Sequence, residues 1–383
     1  MPVSDDGPSR VGTQAEALKQ TYDQIVLGTG VAGLCSALAL ARRGQRVLLL
    51  GRKGIRGGSS PAAAGILDPL LEMKPGNPLL KLTLRAFSDY PSFVRGLKKL
   101  TGQNADYRRT GLLYVARSAR ESAILEKQYR WQSQMGFPVR RFTREMILKK
   151  YPTMTPDVCF GIYYPTLSKI NPAKLVKILE RVAKQAGVKL LRLSKDSRLV
   201  LNRGSVAGVR AGKDFFESTT VINATGSWSG VNRRLAVRAP IVPIRGQILI
   251  LKGKEKIRTI LHSLDGTYIV PWDPGTFLVG STVEQVGFKS HATHAGLNDI
   301  RRRAVQLSPC VARWRRVTSW AGLRPRSKDY LPLIGPTSVK GLYFATGYYR
   351  SGILIAPLAG KLLAKGILSG KIPSILKSFS PNR

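Results

Sequence analysis

The stretch from Asp23 to Gly51 constrains this chain more than any other, because it sets Gly28-Thr29-Gly30-Val31-Ala32-Gly33 between two runs of apolar residues. Ile25-Val26-Leu27 reads as a buried strand, Val31 to Arg43 as a helix, and Val47 to Leu50 as a second strand. In that β-α-β setting each glycine has its own job. Gly28 permits the tight turn, Gly30 lets a pyrophosphate approach the backbone, and Gly33 lets the helix pack closely on the strand. The helix N-terminus at Val31 and Ala32 then faces the phosphates. A dinucleotide is the expected ligand, and since no second GxGxxG occurs, the chain has room for one.

Ile25 to Ala41 is apolar for 17 residues, at the lower edge of a bilayer span. A strand, turn and helix explain it better, and the polar stretch Met1 to Gln24 lacks the charged start of a signal peptide. No membrane insertion is expected. The three cysteines, Cys35, Cys159 and Cys310, are too scattered for a disulfide framework or a zinc site, which points to a reducing cytoplasm. His291-x-x-His294 brings no carboxylate or cysteine at metal-ligand spacing, so no metal is expected.

The formal charge of +40 should attract anything anionic. Yet the excess is dispersed, in pairs such as Arg42-Arg43, Lys98-Lys99, Lys149-Lys150 and Arg315-Arg316, whereas a recognition module concentrates it on one face or tail. Dispersal argues for a general surface property and against a nucleic-acid partner.

Ala173 to Ala186 has the spacing of an amphipathic helix, with Leu175, Ile178, Leu179 and Val182 on one face, followed by a strand at Val188 to Leu193. Arg198 to Ala211 reads as a hairpin turning at Asn202-Arg203-Gly204. Thr220 to Gly226 is a further buried strand ending in a small-residue turn. Leu80 to Gly136 reads as largely helical, and Ile241 to Leu251, Thr267 to Pro271 and Thr276 to Ser281 as strands of an antiparallel sheet. The architecture expected is an α/β Rossmann-type domain interrupted by two insertions that build a smaller α+β substrate domain. The boundaries expected are a flexible leader at 1–21, the nucleotide-binding domain at 22–75, 150–240 and 318–370, the substrate domain at 76–149 and 241–317, and a tail at 371–383.

Simple rules look for an acid at the end of the second strand to hold the ribose hydroxyls. Gly51 stands there, followed by Arg52 and Lys53, which would suggest a 2′-phosphate were basic residues not everywhere in this chain. An ordered set of segments bears on the choice. Gly28-x-Gly30-x-x-Gly33, Gly57 to Leu67, Ala224-Thr225-Gly226, Trp320 to Pro325 and Gly347 to Leu354 together resemble the D-amino-acid oxidase family of flavoproteins. Within it the chain is most similar to the glycine oxidases of thiamine biosynthesis, from about Tyr22 to Leu368.

The resemblance implies a glutathione-reductase-like FAD-binding domain and a substrate domain with an antiparallel sheet. It also implies oxidation of a small amino acid's carbon–nitrogen bond by hydride transfer to the flavin, giving an imine and hydrogen peroxide, with the imine passing to thiazole assembly. Three residues are implied for the reaction: Arg324 grips the substrate carboxylate, Tyr268 donates to it, and Arg350 adds charge or shapes the pocket. Bidentate carboxylate recognition suits arginine. For the cofactor, Arg52, Ser59, Ser60 and the small residues Ala63, Ala64, Gly65 and Ile66 join Ala224-Thr225-Gly226 and the turn Arg350-Ser351-Gly352-Ile353, whose backbone N–H groups open an apolar helix.

Gly51 departs from the family's usual glutamate, Tyr348 and Ser351 from histidine and asparagine, and Trp272 from arginine. Two other readings keep the flavin: a D-amino-acid dehydrogenase passing electrons to a membrane quinone-type acceptor, and a nucleic-acid-associated flavoprotein. Molecular oxygen is the acceptor in the leading reading, and homo-oligomerisation is left open.

Overall fold

The computed structural model describes residues 19–54, 57–70, 73–194, 197–230 and 239–383. At its centre is a six-stranded sheet in the order Lys189–Leu193, Val47–Arg52, Gln24–Leu27, Val221–Asn223, Leu342–Thr346 and Leu333–Pro336. The first five are mutually parallel and the last runs antiparallel at the edge. Both faces of this sheet are covered, which is why Ile25, Val26, Leu48 and Leu49 are all fully buried and the strands read as unbroken apolar runs.

On one face lie the helices Val31–Ala41, Leu79–Thr101, Pro172–Gln185 and Gly352–Ser369, which share one core with Val26, Leu49 and Ile222. Pro172–Gln185 starts where Asn171 accepts from the Lys174 N–H (3.1 Å) and Pro172 presets the first turn, and it buries Leu175, Ile178, Leu179 and Val182. Gly352–Ser369 is long and apolar enough to cross a membrane by length and composition alone. Leu354, Ile355, Leu358 and Leu363 are nevertheless buried in that same core.

On the opposite face a four-stranded sheet packs through Leu199, Val206, Val209 and Phe216 onto Ile25, Leu27, Leu48 and Leu50. It contains the hairpin Ser197–Asn202 and Ser205–Ala211, where Arg203 and Gly204 both have positive φ, as a two-residue turn between twisted strands requires. Lys19–Thr21, expected in a flexible leader, instead forms a strand parallel to Phe215–Glu217. Ladder hydrogen bonds order these residues, and a short polar segment does not advertise such pairing in sequence. Residues 1–18 of that expected leader lie outside the described residues.

The second large sheet has eight strands, in the order Arg315–Ser327, Ile241–Lys252, Thr276–Gly280, Tyr268–Asp273, Ile260–Ser263, Leu112–Ala116, Phe160–Tyr164 and Arg140–Thr143. It is antiparallel except where Ile260–Ser263 meets Leu112–Ala116. Period-two alternation divides its side chains between two cores. Leu249 and Leu251 enter the one under the helix His294–Leu307, and Ile248 and Ile250 enter the other. Burying each such side chain fully contributes about 1.5–3 kcal/mol.

Two expected domain assignments change here, and two expected spans gain detail. Phe160–Tyr164 and all of Arg315–Ser327 belong to this sheet, not to the nucleotide-binding part, because both pair along their length with substrate-side strands. The span 80–136 is two helices, Leu79–Thr101 and Ala119–Gln134, separated by strands at Arg108–Arg109 and Leu112–Ala116. The tail at 371–383 packs through Leu376 and Phe379, both fully buried.

Candidate active site

A groove of about 810 Å³ runs across the C-terminal ends of the parallel strands, past Leu27, Gly51, Ala224 and Thr346. Open α/β sheets bind ligands at this edge. Gly28 has φ +108°, and a Cβ there would lie 2.4 Å from the Ala224 carbonyl oxygen; a Cβ on Gly33 would lie 1.8 Å from the Gly28 oxygen. The motif glycines are thus required by close backbone approach, which leaves the start of the helix Val31–Ala41 bare at the groove. Its Val31 N–H donates to Ser60 Oγ at 3.0 Å.

A second helix opens into the groove at Gly352, and Ser351 supplies no side-chain cap because its hydroxyl donates to the Tyr348 carbonyl (3.1 Å). The first N–H groups of any helix have no partner within it, and Gly352 and Ile353, at this helix start, line the groove. Two helix starts, a glycine cradle and a lining that, among the described residues, carries no carboxylate fit the pyrophosphate and flavin of an FAD.

Gly28, Gly30, Val31, Ala32, Arg52, Ser59, Ser60, Ala63, Ala224, Thr225, Gly226, Arg350, Gly352 and Ile353 line the groove. Gly33 and Ser351 do not. Ala64, Gly65 and Ile66 line instead a smaller cavity of about 110 Å³, which shares Ser59, Ala63, Tyr349, Arg350 and Ile353 with the groove and so continues it. Trp320 Nε1 donates to the Ala62 carbonyl (3.1 Å), holding this small-residue wall against the large sheet.

The smaller cavity brings Arg324, Tyr268 and Arg350 together from a strand, a second strand and the turn before the last helix. Arg324 Nη1 donates to the Thr282 carbonyl at 3.0 Å and Nη2 to Ser281 Oγ at 2.7 Å. The Arg350 guanidinium lies 5.5 Å from the centre of the Tyr349 ring, and Tyr349 holds a positive φ of 45°. Tyr268 is buried, with its hydroxyl over the backbone of Gly280. Trp272 does not line the cavity; its carbonyl accepts from Lys169 Nζ at 2.6 Å.

Two lining residues carried no signal in the sequence. His262 belongs to no motif, yet it is buried in the cavity wall, with Nδ1 2.8 Å from the Ser263 carbonyl, Nε2 3.4 Å from the Tyr114 hydroxyl, and its ring stacked on Tyr114 at 4.2 Å. A carbonyl can only accept, so Nδ1 carries the proton and Nε2 is the acceptor. Burial lowers its pKa from 6.5 to about 4 against the pull of the Ser263 carbonyl, and the Arg350 charge lowers it further. Asp68 is the second; its Oδ1 accepts from the Leu70 N–H (2.8 Å). His262 lies far in sequence from every motif, while Asp68 directly follows the segment Gly57 to Leu67 without belonging to it; the fold brings both to the cavity. Among the described residues no cluster of three or more His, Cys, Asp or Glu side chains stands ready for a metal.

The chain is 31% identical over 369 residues to the bifunctional protein ThiO/ThiG of Trichormus variabilis, covering 95% of this chain and 55% of that one. It therefore spans little more than half the length of that relative. It is 29% identical over 368 residues to a glycine oxidase of Geobacillus kaustophilus, covering 94% of this chain and 97% of that one. The crystal structure of glycine oxidase from Geobacillus kaustophilus superposes with a TM-score of 0.88 at 27% identity, over 95% of this chain and 99% of that chain. Residues 23–365 match the model of the DAO family, described as FAD dependent oxidoreductase, and with the groove and both helix starts inside that span, the chain belongs to this family of FAD-dependent oxidoreductases.

Proposed function

We propose that this protein oxidises the carbon–nitrogen bond of glycine or a similarly small amine or D-amino acid, with molecular oxygen as the final acceptor. The observation that carries the reading is the convergence of Arg324, Tyr268 and Arg350 on a cavity of about 110 Å³ continuous with the dinucleotide groove. So small a space suits a small substrate, and its cationic lining suits a carboxylate.

When bound, FAD supplies the acceptor for the substrate's hydride and passes two electrons to oxygen, which leaves as hydrogen peroxide. The protein's residues do the rest. Arg324 and the Tyr268 hydroxyl hold the carboxylate, and the second positive charge at Arg350 favours loss of a proton from the substrate ammonium. Ala62 to Gly65 and Gly322 bring no bulk, so a flat ring can lie against them. His262 stays neutral above about pH 4 and adds no further charge. Ser59, Ser60 and the N–H groups of Gly352 and Ile353 are the groups we assign to the cofactor.

The likeness to ThiO/ThiG and glycine oxidase supports imine supply to thiazole assembly in thiamine biosynthesis, and three free cysteines fit a reducing cytoplasm. Glycine added without air should bleach the visible flavin band, and air should restore it with release of peroxide. Restoration only by a quinone would replace the oxidase with a dehydrogenase, and a flavin that glycine, sarcosine and D-amino acids all leave oxidised would refute the substrate class.

A further inference from the structure

Arg324 rests on the backbone of Gly246, where a Cβ would come within 2.3 Å of Cζ. Two acceptors of its guanidinium, the Thr282 carbonyl and Ser281 Oγ, belong to one short segment after the strand Thr276–Gly280. Arg303 Nη2 donates to the Ser281 carbonyl of that segment at 3.2 Å, and the segment is held further by Glu284. Its carboxylate receives Arg245 Nε at 2.8 Å and Nη2 at 2.9 Å, Gln247 Nε2 at 2.9 and 3.2 Å, and the Thr282 hydroxyl at 2.8 Å. Its backbone exchanges a reciprocal pair of hydrogen bonds with Arg245, at 2.8 and 3.0 Å, and the Gln247 N–H donates to Thr282 Oγ1 at 3.0 Å.

Glu284 therefore ties the segment bearing these two acceptors of Arg324 to the strand against which Arg324 itself pairs, Ile244 standing opposite Arg324. The Arg245 side chain in this tie is only 6% exposed, so the charge pair is shielded and its geometry matters. Four donor atoms from three side chains thus converge on one carboxylate.

We infer that Glu284 is a positioning residue for the carboxylate anchor, setting the aim of the Arg324 guanidinium through Thr282 and Ser281. This rests on the reading of Arg324 as the anchor. Its sign separates it from a simple field effect. Removing a negative charge near an anion site strengthens anion binding by Coulomb's law, whereas releasing Arg324 weakens it.

The test is titration of the FAD-loaded protein with acetate, followed by calorimetry and by the flavin spectrum. Glu284→Gln should raise the acetate dissociation constant roughly 3- to 30-fold, the range for residues coupled through one network, and raise KM for glycine more than it lowers kcat. In an Arg324→Ala background the same change should alter acetate binding by less than about twofold, because nothing is left to aim. Thr282→Val, which removes the hydroxyl and with it both the bond to Glu284 and the one accepted from the Gln247 N–H, should act in the same direction and keeps the question decidable should Glu284→Gln not fold. Unchanged or tighter acetate binding in these variants, or a loss that adds fully to that of Arg324→Ala, would overturn the positioning role only. Wild-type protein that binds no acetate would overturn the anchor and this inference with it.

Discussion

A Cβ on Gly51 would lie 2.6 Å from Cγ2 of Thr29, so the side chain of Thr29 occupies the space in front of Gly51. The two positions are a matched pair at the end of the strand Val47–Arg52, where the resemblance leads one to expect a glutamate. A side chain at position 51 would have to displace that of Thr29. Thr29, Gly51, Arg52 and Lys53 line this end of the groove.

Gly51→Ala should therefore destabilise the protein by about 1–3 kcal/mol, the cost of overpacking, and Thr29→Gly introduced with it should recover most of the loss. Urea unfolding of the single and double variants measures this. Full additivity of the two changes would show that the residues do not share the space.

Arg324→Ala should retain FAD, since Arg324 does not line the large groove, and should lose about 2–5 kcal/mol of substrate binding, the scale for removing one partner of a desolvated ion pair. Flavin content and kcat/KM for glycine are the measurements. Wild-type kinetics in this variant would remove Arg324 from the site.

The burial of His262 links stability to pH. With its pKa at about 4 in the folded protein against an ordinary 6.5, the unfolded chain takes up a proton that the folded one refuses throughout that window. Stability should fall by about 3 kcal/mol as the pH drops from 6.5 to 4 and gain nothing from this group above 6.5. Glu284, whose pKa the bonds from Arg245, Gln247 and Thr282 lower to about 2 against the opposing effect of burial, loses its contribution only below about pH 4.5. Chemical denaturation at pH 5 and pH 7 should show the difference in the native protein and a smaller one in His262→Phe.

Gly33→Ala places a Cβ 1.8 Å from the Gly28 oxygen and cannot be relieved by a side-chain rotation. The helix Val31–Ala41 must move off the strand, and the helix start moves with it. FAD content after purification should fall by about tenfold or more, the effect of roughly 1.4 kcal/mol or greater in binding. A fully yellow Gly33→Ala protein would show that the helix start does not hold the cofactor.

Local physics was enough to read the β-α-β unit in the sequence, since Gly28, Gly30 and Gly33 answer to backbone sterics between two apolar strands that lie close in the chain. The hairpin at Arg203-Gly204 was legible because turn chemistry is short-ranged, and the helix Pro172–Gln185 because Leu175, Ile178, Leu179 and Val182 recur at helical spacing. The family resemblance carried Arg324, Tyr268 and Arg350, but their meeting in one cavity is a product of strand register: Ile244 opposite Arg324 and Gly280 opposite Tyr268. Long-range pairing also decided that Phe160–Tyr164 joins the large sheet, that Lys19–Thr21 is a strand, and that His262 stacks on Tyr114, 148 residues earlier. A sequence displays the preferences of each residue for its near neighbours. Which distant side chains share a cavity depends on how sheets align, and that is settled by packing summed over the whole chain.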